Sequence, residues 1–105
     1  MVYTPPPSIQ LFQSTTFDVW FSNLRDRQAK QRVAARIRRL SLGNPGDVRP
    51  VGSGVSEMRI DYGPGYRVYF KQRGATVVLL LCGGDKRSQS TDIRRAIELA
   101  ADWEE

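Results

Sequence analysis

At 105 residues the chain is long enough for one domain with a modest core and too short for two. Its 16 Lys and Arg outnumber 11 Asp and Glu, and thirteen of those cations are Arg, whose rigid fork of donors suits phosphate oxygens. The absence of His and the presence of a single cysteine, Cys82, exclude the usual zinc ligand sets, a disulfide framework and the Ser-His or Cys-His nucleophile pairs.

Whatever chemistry occurs therefore falls to Arg, Lys, Tyr, Asp or Glu. No apolar run has the length of a membrane span, and the first residues lack the basic start and apolar stretch of a signal peptide. The expectation is a soluble cytoplasmic protein of one domain over residues 1–105, needing no metal and no cofactor.

Pro5, Pro6 and Pro7 make residues 1–8 an extended lead-in, and Ile9 to Gln13 reads as a short strand. A helix follows, capped by Thr15 or Thr16, with Phe17, Trp20, Phe21 and Leu24 on one face. A second helix from Asp26 to Leu42 carries Ala29, Val33, Ile37 and Leu40 on one stripe. Arg25, Arg32, Arg36 and Arg39 mark another stripe, either a solvated face or a contact surface for a phosphate backbone. Gly43 to Gly46 stops this helix, and Asp47 to Gly54 reads as a flexible loop.

Glu57 to Arg73 reads as two alternating strands about a three-residue turn, Gly63-Pro64-Gly65. That turn pairs Tyr62 with Tyr66, Ile60 with Val68 and Met58 with Phe70 on one face. On the other face Asp61 meets Arg67, Arg59 meets Tyr69 and Glu57 meets Lys71. Ala75 to Cys82, apolar on both faces, is an interior strand, and a helix with Ile93, Ala96, Ile97 and Ala100 inward begins at Ser90 or Thr91 and ends near Trp103.

The predicted fold class is α+β in two layers, a small, mostly antiparallel sheet in the order β-α-α-β-β-β-α with helices mainly on one face. The other face is left open, with Arg59, Arg67, Tyr69, Lys71 and Arg73 over an apolar floor of Val78 and Leu80, and the basic loop Lys86-Arg87 leaving its edge. Arginines interleaved with tyrosines can hold a single RNA strand through phosphate contacts and base stacking. Cleavage by the RNA's own 2′-hydroxyl needs a proton acceptor, a cation at the phosphate and a proton donor for the leaving oxygen. Arg67 suits the second role. Glu57, Tyr69, Asp85 and Lys86 are candidates for the others.

Several spaced motifs then point to a family. They are Phe17-x-x-Trp20, Leu24-Arg25-Asp26, Gly43-Asn44-Pro45-Gly46-Asp47, Gly54-Val55-x-Glu57-Met58-Arg59-Ile60, Gly63-Pro64-Gly65-Tyr66-Arg67-Val68-Tyr69 and Leu81-Cys82-Gly83-Gly84-Asp85-Lys86. Together they resemble the RelE/ParE superfamily of toxins from bacterial type II toxin-antitoxin systems, in particular its HigB-like, phage-Gp49-related branch. The resemblance implies the RelE-like fold and ribosome-dependent mRNA cleavage that stops translation, with the ribosome, mRNA and a cognate helix-turn-helix antitoxin as partners.

It also implies that Arg67 contacts the scissile phosphate, that Arg59 occupies a basic strand position, and that Lys86 or Arg87 matches the basic residue after the last strand. The catalytic candidates are thus Arg67, Lys86, Glu57 and Tyr69, and the phosphate-binding candidates Arg59, Arg67, Lys71, Arg73, Lys86 and Arg87. Where RelE-like enzymes carry a C-terminal Tyr, this chain reads Ser90-Thr91-Asp92-Ile93. Two alternatives therefore stand beside the ribonuclease: a ParE-like protein that poisons DNA gyrase without cutting RNA, and a member that only binds.

Overall fold

The computed structural model describes residues 9–103, so the lead-in expected over 1–8 lies outside the described residues. The elements run β1 (Gln10–Gln13), α1 (Thr15–Ser22), α2 (Arg27–Ser41), β2 (Val48–Gly52), β3 (Val55–Ile60), β4 (Tyr66–Arg73), β5 (Val77–Gly84), a single 3-10 turn (Lys86–Ser88) and α3 (Gln89–Ala101). They form a five-stranded sheet in the order β1-β5-β4-β3-β2, with β1 parallel to β5 and every other pair antiparallel.

The helices begin where short polar side chains satisfy the first backbone N–H groups. Ser14, one residue before the predicted cap, accepts from Phe17 N at 3.0 Å and donates to Leu81 O, which ties α1 to β5. Asp26 caps α2 by accepting from Gln28 N and Ala29 N. Asp85 caps the 3-10 turn that leads directly into α3, so that helix starts earlier than Ser90.

The segment Asp47 to Gly54, expected as a loop, contains the strand β2. Pro50, Gly52 and Gly54 mimic loop composition, yet β2 is an edge strand, where a missing N–H costs no ladder bond, and a bulge near Val51 absorbs the irregularity. The order is consequently β-α-α-β-β-β-β-α.

The hairpin of β3 and β4 keeps the predicted faces but slips by two residues. Ile60 pairs with Tyr66, Arg59 with Arg67, Met58 with Val68 and Glu57 with Tyr69. A slip of two preserves alternation, so every side chain stays on its expected face. Tyr62 is the cause: its hydroxyl bonds Asp26 and Gln28 and its ring lies under Arg32, so it belongs to α2 and cannot pair with Tyr66.

Both faces of the sheet are covered. On one, α1 and α2 bring Phe17, Val33 and Leu40 against Met58, Ile60, Val68, Phe70, Val78 and Leu80. On the other, α3 brings Ala96 and Ala100 against Val55, Tyr69, Leu79, Leu81 and Cys82. A bulge in β5 beside Tyr69 and Phe70 turns the consecutive residues Leu81 and Cys82 toward α3 together.

The expected open face is therefore corrected. Lys71 pairs with Leu79 and Arg73 with Val77, so Val78 and Leu80 lie on the opposite face, and α3 fills the place of the missing layer.

Candidate nucleic-acid interface

Directly opposed residues of neighbouring strands share a face, and two such rows build the site. Arg49, Glu57, Tyr69 and Cys82 form one row across β2, β3, β4 and β5; Arg59, Arg67 and Gly84 form the next. Arg59 N donates to Asp47 O at 3.0 Å, which extends the second row to the entrance of β2.

The second row opens into a depression of about 370 Å³ lined by Asp47, Arg59, Asp61, Gly65, Arg67 and Lys86, among others. Lys86 arrives from the end of β5 because the β3-β4 turn lies against it. Gly65 sits at φ +80°, and a Cβ there would stand 3.3 Å from Arg67 Nη1 and 3.5 Å from Lys86 Cβ. Glycine lets the turn close on both cations. Its carbonyl accepts from Arg67 Nη1 at 2.8 Å, and Arg59 pairs with Asp47 at 3.1 Å across the rim.

Beneath Arg67 lies Glu57, a carboxylate with no solvent exposure. Its Oε1 accepts from Arg49 Nε at 3.0 Å, and its Oε2 accepts from Tyr69 Oη at 3.0 Å and Gln89 Nε2 at 2.9 Å. Arg67 Nε stands 3.5 Å from the same Oε2, an ion pair without hydrogen-bond alignment.

Burial alone would raise the Glu57 pKa. The hydrogen bonds from Gln89, Arg49 and Tyr69 and the charge of Arg49 outweigh it, so the carboxyl ionises below its usual range. Burial, reinforced by the charge and hydrogen bond of Glu57, drives the Tyr69 hydroxyl far above the usual phenol value. A fully buried anion is costly unless paired and hydrogen-bonded, and here the cations it holds are those facing the depression and its flank.

The expected residues thus separate. Arg59, Arg67 and Lys86 come together at the depression. Glu57 and Tyr69 lie behind it with no exposure, so they touch Arg67 or each other and not a molecule in the depression. Lys71 stands opposite Val55, and Glu57 pairs with Arg49 and Arg67 in place of the predicted Lys71. Arg73 stacks on Trp103 at 4.0 Å and donates to its carbonyl at 3.2 Å, fastening the end of α3. Arg87 is exposed and pairs with Asp85 at 3.5 Å.

Sequence reasoning missed Arg49, Gln89 and Asp47. One signal was present: a glutamate in a strand otherwise packed with Val55, Met58 and Ile60 demands cations on the neighbouring strands.

The Gly83-Gly84 pair has a packing reason. A Cβ on Gly83 would sit 2.3 Å from the Trp20 ring, and one on Gly84 would sit 1.8 Å from Asp92 Oδ2. Trp20 and the first turn of α3 therefore press on opposite faces of the same strand end. Burial and the nearby Asp92 charge push the Cys82 thiol up to about 12, which leaves it protonated and unreactive. Among the described residues no group of three or more His, Cys, Asp or Glu is placed to hold a metal ion, and no helix is long and apolar enough to cross a membrane.

Comparison with known proteins supports the Gp49-related part of the resemblance. A profile of the family described as "Phage derived protein Gp49-like (DUF891)" matches residues 19–103. An uncharacterized protein of Haemophilus influenzae is 50% identical over 93 residues, 89% of this chain and 94% of the relative. With a profile covering most of its length and a relative of such identity across nearly the whole of both proteins, the chain belongs to the phage-derived Gp49-like family.

Proposed function

We propose that the protein is the toxin of a type II toxin-antitoxin pair, of the RelE/ParE superfamily and HigB-like in kind. In this reading it cuts mRNA on the translating ribosome and is neutralised by a cognate helix-turn-helix antitoxin. Family membership supports the toxin assignment, and one observation carries the chemistry: Arg59, Arg67 and Lys86 converge on a single depression, with Arg67 fixed from behind by Glu57.

The reaction uses the RNA's own 2′-hydroxyl. Its oxygen forms a bond to phosphorus as the bond to the 5′-oxygen breaks, leaving a cyclic phosphate. Arg67, held at Gly65 O and beside Glu57, stabilises the charge that accumulates on the phosphate oxygens. Lys86, exposed at the rim, protonates the departing oxygen, and a rim carboxylate, Asp47 or Asp61, takes the 2′-proton. Glu57 and Tyr69, the other catalytic candidates, act through Arg67.

Brief induction followed by mapping of RNA 5′ ends tests the proposal. Cuts within reading frames are expected, together with their loss in Arg67→Ala that still folds. Intact mRNA during growth arrest would refute it. The complete burial of Glu57 and Tyr69 favours a second reading, a gyrase-poisoning protein without nuclease activity. DNA-damage signalling with intact mRNA selects that reading, and absence of any growth defect selects a member that only binds.

A further inference from the structure

Glu57 divides its two oxygens between two arginines. Oε1 holds Arg49 through Nε at 3.0 Å, and Oε2 faces Arg67 Nε at 3.5 Å. The arginines differ in exposure: the Arg67 side chain is 10% exposed, whereas that of Arg49 is 52% exposed. A structural cation serving only to neutralise a buried carboxylate needs no such exposure. Arg49 is attached through Nε, which leaves the two terminal nitrogens at the outer end of its guanidinium fork.

Geometry adds direction to this. Arg49 stands opposite Glu57, which is two residues along β3 from Arg59 on the rim, and alternate residues of a strand share a face about 7 Å apart. The cation therefore extends the face beyond the depression, alongside the row that contains Arg59 and Arg67.

We propose that Arg49 forms a second phosphate subsite beside the Arg59-Arg67-Lys86 depression, both anchored by Glu57, so that the face binds a single-stranded polynucleotide across two neighbouring phosphates. This rests on the reading of the depression as an RNA phosphate site. It makes Glu57 the positioning residue for both subsites. A strand, rather than an isolated phosphate, is then the ligand, because only a strand engages both arginines at once.

The test measures affinity for two probes: a labelled single-stranded 2′-O-methyl RNA decamer, which cannot be cut, and uridine 3′-monophosphate. Arg49→Ala weakens decamer binding about tenfold, as expected for one charge-assisted contact, and leaves monophosphate binding within about twofold. It also lowers the salt dependence of decamer binding by about 0.7 in log-log slope, the share of one phosphate on a single strand. Arg49→Gln keeps an N–H donor for Glu57 and removes the charge, so it carries the same expectation should the alanine variant fail to fold.

Unchanged decamer affinity in these variants overturns the second subsite. Equal weakening of both probes also overturns it, since that means Arg49 acts only by steadying Arg67. If the parent protein binds the monophosphate but not the decamer, the two-phosphate track is wrong while the depression stands. If it binds neither, the reading of the depression as a phosphate site falls, and this subsite with it.

Discussion

Replacing Tyr69 by Phe removes one oxygen atom from the interior and tests whether Glu57 is a held anion or a passive one. The hydroxyl donates to Glu57 Oε2 at 3.0 Å, and neither side chain has any exposure. The ring remains, so packing changes little. A buried hydrogen bond to a charged group contributes about 1.5–3 kcal/mol, a large share of the roughly 5–15 kcal/mol that stabilises a domain of this kind.

Taking about 2 kcal/mol, the urea midpoint should fall by about 1 M or more and the melting temperature by roughly 8 °C. The effect also has a sign in pH. The folded-state pKa of Glu57 is lowered, so its contribution is present above the unfolded pKa and is lost as pH falls through the folded one. Tyr69→Phe raises that folded pKa. The stability gap between parent and variant should therefore be full near neutral pH and narrow as the solution is acidified and Glu57 takes up its proton in both proteins.

Urea titrations from about pH 7 down to about pH 3 measure the gap directly, and combination with Glu57→Gln isolates the pair. A gap below about 0.5 kcal/mol at neutral pH, or one that does not change on acidification, would refute the account of Glu57 as an ionised carboxylate held by its donors.

Gly83→Ala places a methyl group 2.3 Å from the Trp20 ring, so the ring must move and the variant should lose about 1–3 kcal/mol, with a shift in tryptophan emission. An unshifted spectrum with parental stability contradicts the close packing of Trp20 on β5. Arg36 donates from both terminal nitrogens, to Arg59 O and to Pro45 O, whereas Arg38 on the same helix is exposed. Arg36→Met should therefore cost about 2 kcal/mol in urea unfolding, against less than about 0.5 kcal/mol for Arg38→Ala. Equal effects would mean that Arg36 is no more committed to the fold than an exposed arginine of the same helix.

Alternation along Glu57 to Arg73 was enough to assign faces, because faces survive a two-residue slip. It was not enough for register, which depends on Tyr62 reaching Asp26, 36 residues earlier in the chain. No local pattern carries that contact. The edge strand β2 was hidden for a related reason: its Pro50 and Gly52 are tolerable because, among the described residues, β2 lies at the edge of the sheet, a fact of sheet order rather than of composition. α3 was visible as an amphipathic helix, yet the side of the sheet it covers follows from the path of the chain after β5.

The same distinction governs the site. Alternation places Arg59, Arg67, Lys71 and Arg73 on one face, and composition alone treats them as equivalent cations. The fold gives them different work, since Arg73 stacks on Trp103, Arg67 is fixed between Gly65 O and Glu57, and Arg59 pairs with Asp47 at the rim. Arg36, taken with the basic stripe of α2, is committed to two backbone carbonyls. A count of positive charges therefore overstates the surface offered to a polyanion. On the proposed reading, a cation qualifies for phosphate by which anions and carbonyls already hold its guanidinium and how much of the fork they leave outward; by that criterion Arg49 ranks above Arg73, though strand alternation favoured the latter.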